Sequence, residues 1–364
     1  MEKHIINQSA TLRDALDRLN RLSGSVMTLL VIDDDGRMTG TLTDGDTRRG
    51  LLAGASLDDP VGRVMHREFR WLPDEDPIDV ARLRQIRLAG IRLVPILDAD
   101  RRLRRVIDTG VTSTVLPVSA LLMAGGRGER LRPLTLTTPK PLLEIGGRAI
   151  IDYNIEALAA VGVNDITVTT NYLAEQIAAH FATPVAGVTV KTVQETEFLG
   201  TIGSAGLVKH QPGRQTIVMN SDLLTTISFE DLYLRHIGEQ ADITVAVVPY
   251  NVSVPYAVLE TEGQRVTALA EKPSFSYYAN AGIYMINNDL LAMLDGKTRV
   301  DATDFIEHAI AAGRRVAYFP INGTWIDIGN PVDFNHAAEL MAHHNQLAGN
   351  NRPSSIVISP DSNL

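Results

Sequence analysis

The sequence predicts an α/β protein: a mostly parallel, mixed sheet with helices on both faces, preceded by a small α+β domain. Three observations carry this prediction. From Val118 onward, apolar strand-like runs alternate with helical periodicity, which favours a parallel sheet covered on both faces. Residues 1–117 contain a weak internal repeat instead. The charge balance changes at the same point. Residues 1–117 hold 18 Lys+Arg and 18 Asp+Glu, the remainder 16 and 25, so the whole net charge of −9 falls on the second part. A chain of 364 residues has room for two or three domains of roughly 100–200 residues each.

The first copy of the repeat opens with "ATLRDALDRLN", a helix with apolar residues at Leu12, Ala15, Leu16 and Leu19. "TLLVIDDDGRMTGTLTDGDTRRGLL" follows as a strand, a D-G turn, a second strand and a new helix. The second copy, "DPIDVARLRQIRLAGIRLVPILDADRRLRRVIDTG", again reads helix, strand, acidic turn, strand. Each half is too small to bury a core alone, so the two are expected to pack together. Residues 4–115 resemble a tandem pair of cystathionine β-synthase (CBS) motifs. In that family a Thr/Ser-x-x-Asp contacts the ribose and phosphate of a regulatory nucleotide, and in "GTLTDGDTRR" Thr43 and Asp46 match it. The second copy has only "RVIDTG" there, broken at Asp108 and Thr109, so the resemblance implies at most one ligand site. A purely structural pairing module stands equally open, and a homo-oligomer joined through this domain is expected.

"TVLPVSA" joins the two parts. "VSALLMA" reads as a short apolar strand, and "AIIDYNIEALAAVGV" as a helix ending at Gly162. "DITVTT", "VTVKTV", "TIVMN" and "DITVAVVPY" are further strands. "LAEQIAAHF" and "SFEDLYLRHI" are helices, the latter with Ser228 as N-cap. The chain closes with "VDFNHAAELMAHHNQLAGNNRPSSIVISPDSNL", a helix whose end and polar tail make up 338–364. His336, His343 and His344 there read as a solvated helix face rather than a metal site.

The chemistry centres on "LLMAGGRGERLRPLTLTTPKPLLEIGG". Gly125, Gly126 and Gly128 let the backbone approach a ligand and turn its amides toward phosphate oxygens. Their spacing fits neither GxxxxGK[ST] nor GxGxxG. Arg130 follows within reach of the same phosphates, and Pro139 and Pro141 stiffen the chain around Lys140. In open α/β sheets ligands sit beyond the carboxyl ends of the strands. "VMNSD" puts Asp222 at such an end, and "GTWIDIGNP" puts Asp327 in a Gly/Pro-bounded turn. Two such acids suit magnesium, which takes carboxylates, water and phosphate oxygens.

"MAGGRGERLRPLTLTTPKPLLEIGGRAIIDYNIEAL" resembles the signature of the sugar-1-phosphate nucleotidylyltransferases, and the likeness runs through residues 119–337. It implies a Rossmann-like nucleotidyltransferase fold over 118–337. It also implies triphosphate binding by Gly125, Gly126, Gly128, Arg130 and Lys140, and Mg²⁺ ligation by Asp222 and Asp327. Ser221 stands where many members have glycine. In "AEKPSFSYYANAGIY" the family uses the lysine, Lys272, on the sugar phosphate, and Glu271 and Asn280 on sugar hydroxyls. "QETEFLGTIGSAG" resembles the segment lining the base pocket, with Gln194, Gly200 and Thr201 as candidates. The implied reaction takes an NTP, with GTP favoured over UTP, dTTP or CTP, and a mannose, glucosamine or related hexose 1-phosphate. A non-catalytic nucleotide sensor or scaffold is the competing class. The hexapeptide-repeat β-helix that often follows this domain is not found.

Composition narrows the classes further. The absence of cysteine excludes disulfides, zinc thiolates and a cysteine nucleophile, and fits the cytoplasm. The acidic balance argues against nucleic acid as the main partner. No uninterrupted apolar window approaches the span of about 18 residues that a membrane helix needs, and the N-terminus lacks a signal-peptide pattern.

Overall fold

A computed structural model describes residues 2–348, with side chains as far as residue 342. The chain divides into two compact units, Met1–Pro117 with Ala160–Gly162, and Val118–Ala159 with Val163–Leu364. His336 is exposed, whereas the side chains of His343 and His344 and the polar tail expected after residue 348 lie outside the described residues.

In the first unit the repeat is plain. Its first half runs β1 (Ile5–Asn7), α1 (Leu12–Arg21), β2 (Thr28–Ile32), β3 (Met38–Thr43) and α2 (Asp44–Leu52). The second runs β4 (Leu72–Pro73), α3 (Val80–Leu88), β5 (Leu93–Leu97) and β6 (Leu103–Asp108), with no helix matching α2. Each half pairs its first two strands in parallel and its last two antiparallel, with a register shift at Val31/Ile32 and at Ile96/Leu97. The two acidic turns are built alike. Asp33 Oδ1 accepts from the amides of Asp35 and Arg37, and Asp98 Oδ1 from those of Asp100 and Arg102. Leu30 and Met38 of one half share a buried cluster with Phe69 and Leu97 of the other, so the two halves pack on each other as expected.

The second unit is built on a seven-stranded sheet. Its strands are β7 (Val118–Ala124), β10 (Ile166–Thr170), β11 (Lys191–Gln194), β12 (Gln215–Asn220), β14 (Ile243–Ser253), β17 (Ser274–Asn287) and β18 (Val316–Pro320). Short pairs join β8 (Glu144–Ile145) to β9 (Arg148–Ala149), β13 (Leu223–Thr225) to β19 (Trp325–Asp327), and β15 (Val258–Glu262) to β16 (Arg265–Ala270). The helices are α4 (Ile150–Ala160), α5 (Ala174–His180), α6 (Phe229–Gly238), α7 (Asn288–Leu291), α8 (Ala302–Ala311) and α9 (Pro331–Ala348).

The sheet order is β11-β10-β7-β12-β17-β14-β18. The first four strands are parallel, and β17 enters antiparallel to both β12 and β14. Central strands such as β10 are buried along their whole length, as expected for a sheet covered on both faces. The parallel strands therefore bring the ends of β7, β10, β11 and β12 to one edge. Sequence reading places no strands between Asn251 and Asn280. There β14 and β17 run on as a mostly exposed two-stranded arm, and β15 and β16 form a hairpin exposed on both faces. No helix of the described residues is long and apolar enough to cross a membrane.

Candidate active site at the carboxyl edge of the sheet

β7 ends at Ala124, and the glycine loop begins at once. Gly128 takes φ +61°, and a Cβ there would lie 2.9 Å from Thr135 Cγ2 and 3.2 Å from Lys140 Cβ. Glycine is thus required both for the left-handed turn and for the close passage of the lysine segment. Thr135 Oγ1 donates to the Gly128 carbonyl at 2.8 Å, closing the loop on itself. The amides of Gly126, Arg127 and Gly128 carry no hydrogen bond from the described residues, so they are free to meet an anion. The following segment is pinned from the far side. Tyr172 donates to the carbonyls of Thr135 and Leu136, and Gln176 to that of Thr137.

Lys140 sits between its two prolines in a short 3₁₀ turn and is buried. Its Nζ contacts Asp222 Oδ2 directly and lies 3.7 Å from Asp327 Oδ1. The two acids, 105 positions apart in sequence, meet because β13 and β19 pair antiparallel with Leu223 opposite Asp327. The Ile328 amide also donates to the Asp222 carbonyl at 3.2 Å. Leu131, Leu143, Leu224, Ile326 and Ile328 form one buried cluster under the loop, the lysine turn and both acid-bearing strands. Arg130 completes the group. A Cβ added to Gly329 would lie 3.0 Å from its guanidinium, so it rests on the turn after Asp327.

Burial, and then the neighbouring Asp222 carboxylate, push the Asp327 carboxyl above its ordinary range, against the pull of Lys140 and Arg130. Asp222 Oδ1 is buried with no hydrogen-bond partner. A buried, unpartnered carboxylate oxygen is costly unless a cation meets it. Two converging acids and one orphaned oxygen therefore fit a hard divalent cation that completes its shell with water and phosphate oxygens. Among the described residues no cluster of three or more such side chains gathers, so a cation here would depend on the substrate for ligands.

Two residues support this site from behind, and only the first goes unread in the sequence. Asn154, buried in α4, donates its Nδ2 to the carbonyls of Leu223 at 2.9 Å and Ser221 at 3.5 Å, holding the Asp222 turn from both sides. A polar residue inside the apolar series Ile150, Ile151, Ile155, Leu158 was the available signal. Ser221 itself donates its hydroxyl to the Met123 carbonyl at 2.7 Å, tying the turn to β7. The serine that departs from the family pattern thus adds a bond.

The remaining predicted residues are placed as follows. Asn280 is exposed on β17 beside the end of β12; its Nδ2 donates to Tyr284 Oη at 2.9 Å, and its Oδ1 accepts from the Gly282 amide. Trp325 Nε1 donates to the neighbouring Ala281 carbonyl, linking this point to β19. Glu271 and Lys272 lie exposed in the turn between β16 and β17, Lys272 at φ +44°, and carry no hydrogen bond or ion pair to described residues. They stand outside the Lys140 cluster. Gln194 is exposed at the end of β11. Gly200 passes the Val300 carbonyl so closely that a Cβ would lie 2.4 Å from it. Thr201 donates its amide to Asp301 Oδ1 and accepts the Ala302 amide, so both residues fasten this segment to the start of α8.

In the first unit, Thr43 and Asp46 form a reciprocal capping box at the start of α2, and Asp46 also pairs with Arg49 at 2.5 Å. Burial alone would raise the Asp46 carboxyl, but the Thr43 hydroxyl and amide and Arg49 hold it below its ordinary value. A cavity beside it is lined by Asp46, Arg49, Gly50 and Arg63, among others.

The family described as CBS domain matches residues 3–53, the first half of the repeat only. A mannose-1-phosphate guanylyltransferase catalytic subunit beta from Dictyostelium discoideum is 32% identical over 227 residues, 60% of this chain and 62% of that protein. A mannose-1-phosphate guanyltransferase from Yarrowia lipolytica is 33% identical over 227 residues, again 60% of this chain and 62% of that one. The chain thus spans about three-fifths of the length of these curated relatives. Among solved structures, HddC from Yersinia pseudotuberculosis superposes with a TM-score of 0.49 at 23% identity, covering 61% of this chain and 99% of that one. The family described as Nucleotidyl transferase matches residues 119–344, well over half of the sequence and all of the cluster around Lys140, and the chain belongs to it.

Proposed function

We propose that this chain transfers a nucleotidyl group from an NTP, with GTP favoured, to a hexose 1-phosphate such as mannose or glucosamine 1-phosphate. The products are an NDP-sugar and pyrophosphate. The observation that carries the reading is Lys140 held between Asp222 and Asp327 beside a glycine loop with free amides. An oxygen of the sugar phosphate attacks the α-phosphorus in line. The bond from that phosphorus to the bridging oxygen breaks, and pyrophosphate leaves with the electron pair. No protein nucleophile takes part. Both reactants are anions, so the protein's task is positioning and charge neutralisation.

The loop amides and Arg130 hold the triphosphate, and Lys140 neutralises charge growing on the leaving group. Asp222 and Asp327 would hold Mg²⁺, which supplies Lewis-acid neutralisation of the phosphates when bound. Lys272, with Glu271 and Asn280, is assigned to the sugar phosphate. As Lys272 stands apart on the exposed arm, that role asks the arm to approach once substrate is bound. In the first unit we assign Thr43 and Asp46 to a regulatory nucleotide. Their capping box must then either persist beside the ligand or open for it.

Pyrophosphate release, measured across four NTPs and a panel of sugar 1-phosphates, tests this reading. Activity is expected with GTP and a hexose 1-phosphate. Asp222→Ala and Lys140→Ala should each lower kcat by about 10²–10³-fold. Silence across the whole panel would favour a nucleotide-sensing protein, and near-normal turnover by either variant would remove its residue from the mechanism.

A further inference from the structure

At the opposite edge of the sheet, where the parallel strands start, a cavity of about 240 Å³ opens between one sheet face and residues 207–210. Its floor is polar where a sheet covered on both faces is ordinarily apolar. Thr216 on β12 stands opposite Ser119 on β7, and Thr167 on β10 stands between Leu121 and Lys191. Ser119 and Leu121 are two positions apart, so the three hydroxyl residues share one face of neighbouring strands. Thr216 and Asn220 lie at the two ends of β12, roughly 13 Å apart at about 3.3 Å per residue. The cavity and the Asp222 cluster are therefore separate places on the same strands.

Hydrogen bonds fix what the floor offers. Asn288 Nδ2 donates to the Gln211 carbonyl at 2.8 Å, so its Oδ1 accepts from Thr216 Oγ1 at 2.6 Å. Thr216 has one hydroxyl hydrogen, and it is used there. Ser119 Oγ, 2.8 Å from Thr216 Oγ1, must then be the donor of that pair, and only its acceptor capacity is left. Thr167 is 6% exposed, and its hydroxyl makes no hydrogen bond to the described residues, so it can both donate and accept. From the cover, His210 donates Nε2 to the Ala205 carbonyl at 2.8 Å, which makes Nδ1 the acceptor of a neutral ring. Lys209 is exposed and carries no hydrogen bond or ion pair to described residues. Lys191 pairs with Asp165 at 2.8 Å, both side chains exposed. Such a pair is weak, so Lys191 can meet a second anion at little cost.

We propose that this cavity binds a small phosphorylated sugar or polyol. Its phosphate would meet Lys209 and Lys191, and its hydroxyls Ser119, Thr167 and His210. Two ammonium groups suit a phosphate dianion. The acceptors on the floor and cover ask for a ligand rich in donors, which a sugar supplies and a bare anion does not. Size limits the ligand further. The cavity holds roughly eight waters at about 30 Å³ each, and lies below the range of about 300–1,000 Å³ for drug-sized ligands. A nucleoside triphosphate is too large for it. The assignment does not rest on the nucleotidyl-transfer reading, because none of these residues belongs to the cluster around Lys140.

Isothermal titration of glucose 6-phosphate, inorganic phosphate and glucose into the full chain tests this. Glucose 6-phosphate carries no phosphate on C1, so it is not a substrate of the transfer proposed above. It should bind about tenfold or more tightly than either inorganic phosphate or glucose. Lys209→Gln should weaken it about tenfold, and Thr167→Val about three- to tenfold. Lys209 is exposed, and Thr167→Val keeps the side-chain shape and breaks no hydrogen bond, so both variants should fold. Lys272→Ala, at the residue assigned to the substrate's sugar phosphate, should bind glucose 6-phosphate as wild type does. Affinity within about threefold of wild type in both Lys209→Gln and Thr167→Val overturns the proposal. So does glucose 6-phosphate binding no tighter than inorganic phosphate, or no binding at millimolar concentration. Binding lost in Lys272→Ala but kept in Lys209→Gln would place the probe in the catalytic site and overturn it too.

Discussion

Asn154 illustrates how a site residue can act without touching a ligand. Its side-chain amide spans the carbonyls on either side of Asp222 from within α4, so the acid's backbone has little freedom. Asn154→Ala leaves two buried carbonyls short of a donor, and should cost about 1–3 kcal/mol in denaturant unfolding. It should also lower kcat, with KM for the NTP moved less, because the loss falls on the placement of Asp222. An unchanged kcat beside the stability loss would make Asn154 structural only. Asn154 escapes notice in the sequence for a physical reason. Lys140, Asp222 and Asp327 are legible because residue type and motif spacing coincide. A lone buried amide is legible only once burial is known, since asparagine is ordinarily expected outside.

At the scale of elements, α6 is fastened to the sheet through a buried histidine. His236 Nδ1 meets Thr244 Oγ1 on β14 at 2.8 Å, and Nε2 meets Asn287 Oδ1 at the end of β17 at 3.1 Å. Burial holds the imidazole below its ordinary value, with Asn287 and Asp242 pulling weakly the other way. The unfolded chain takes up this proton as pH falls through about 6.5, while the folded chain resists it. The contribution is therefore complete above that pH and declines as pH drops toward the folded value, by at most about 1.4 kcal/mol per pH unit. Denaturant unfolding at pH 7 and pH 5 should show a smaller drop for His236→Gln than for wild type; equal drops would place the titration elsewhere. Most elements of both units are legible from periodicity, and the first unit's repeat from its paired acidic turns. The arm of β14 and β17 and the β15–β16 hairpin are not. Tyr250, Val252, Tyr256, Leu259, Val266, Leu269 and Tyr277 are all exposed there, so no buried face imposes a readable alternation.

At the scale of the molecule, the two units have separate cores. Ile6, Leu12, Leu19, Leu29 and Leu42 cluster in the first, and Leu121, Val218, Ile243, Tyr284 and Ile286 in the second. Units with their own cores are expected to melt as distinct cooperative transitions. A ligand that binds one native unit raises that unit's transition by mass action, worth about 2.7 kcal/mol at 100 times Kd. For a unit of this size each kcal/mol moves Tm by about 2–4 °C, so saturating Mg²⁺·GTP should raise one calorimetric transition by about 5–11 °C and leave the other in place. Asp222→Ala should abolish that shift without moving the second transition. A regulatory nucleotide bound through Thr43 and Asp46, as proposed above, should give the converse pattern, raising only the transition that Asp222→Ala leaves alone, and losing its effect in Asp46→Ala. If Mg²⁺·GTP moved both transitions together, the units would be thermodynamically one body. In that case occupancy of the sheet edge would already be coupled to the repeat, with no second nucleotide required.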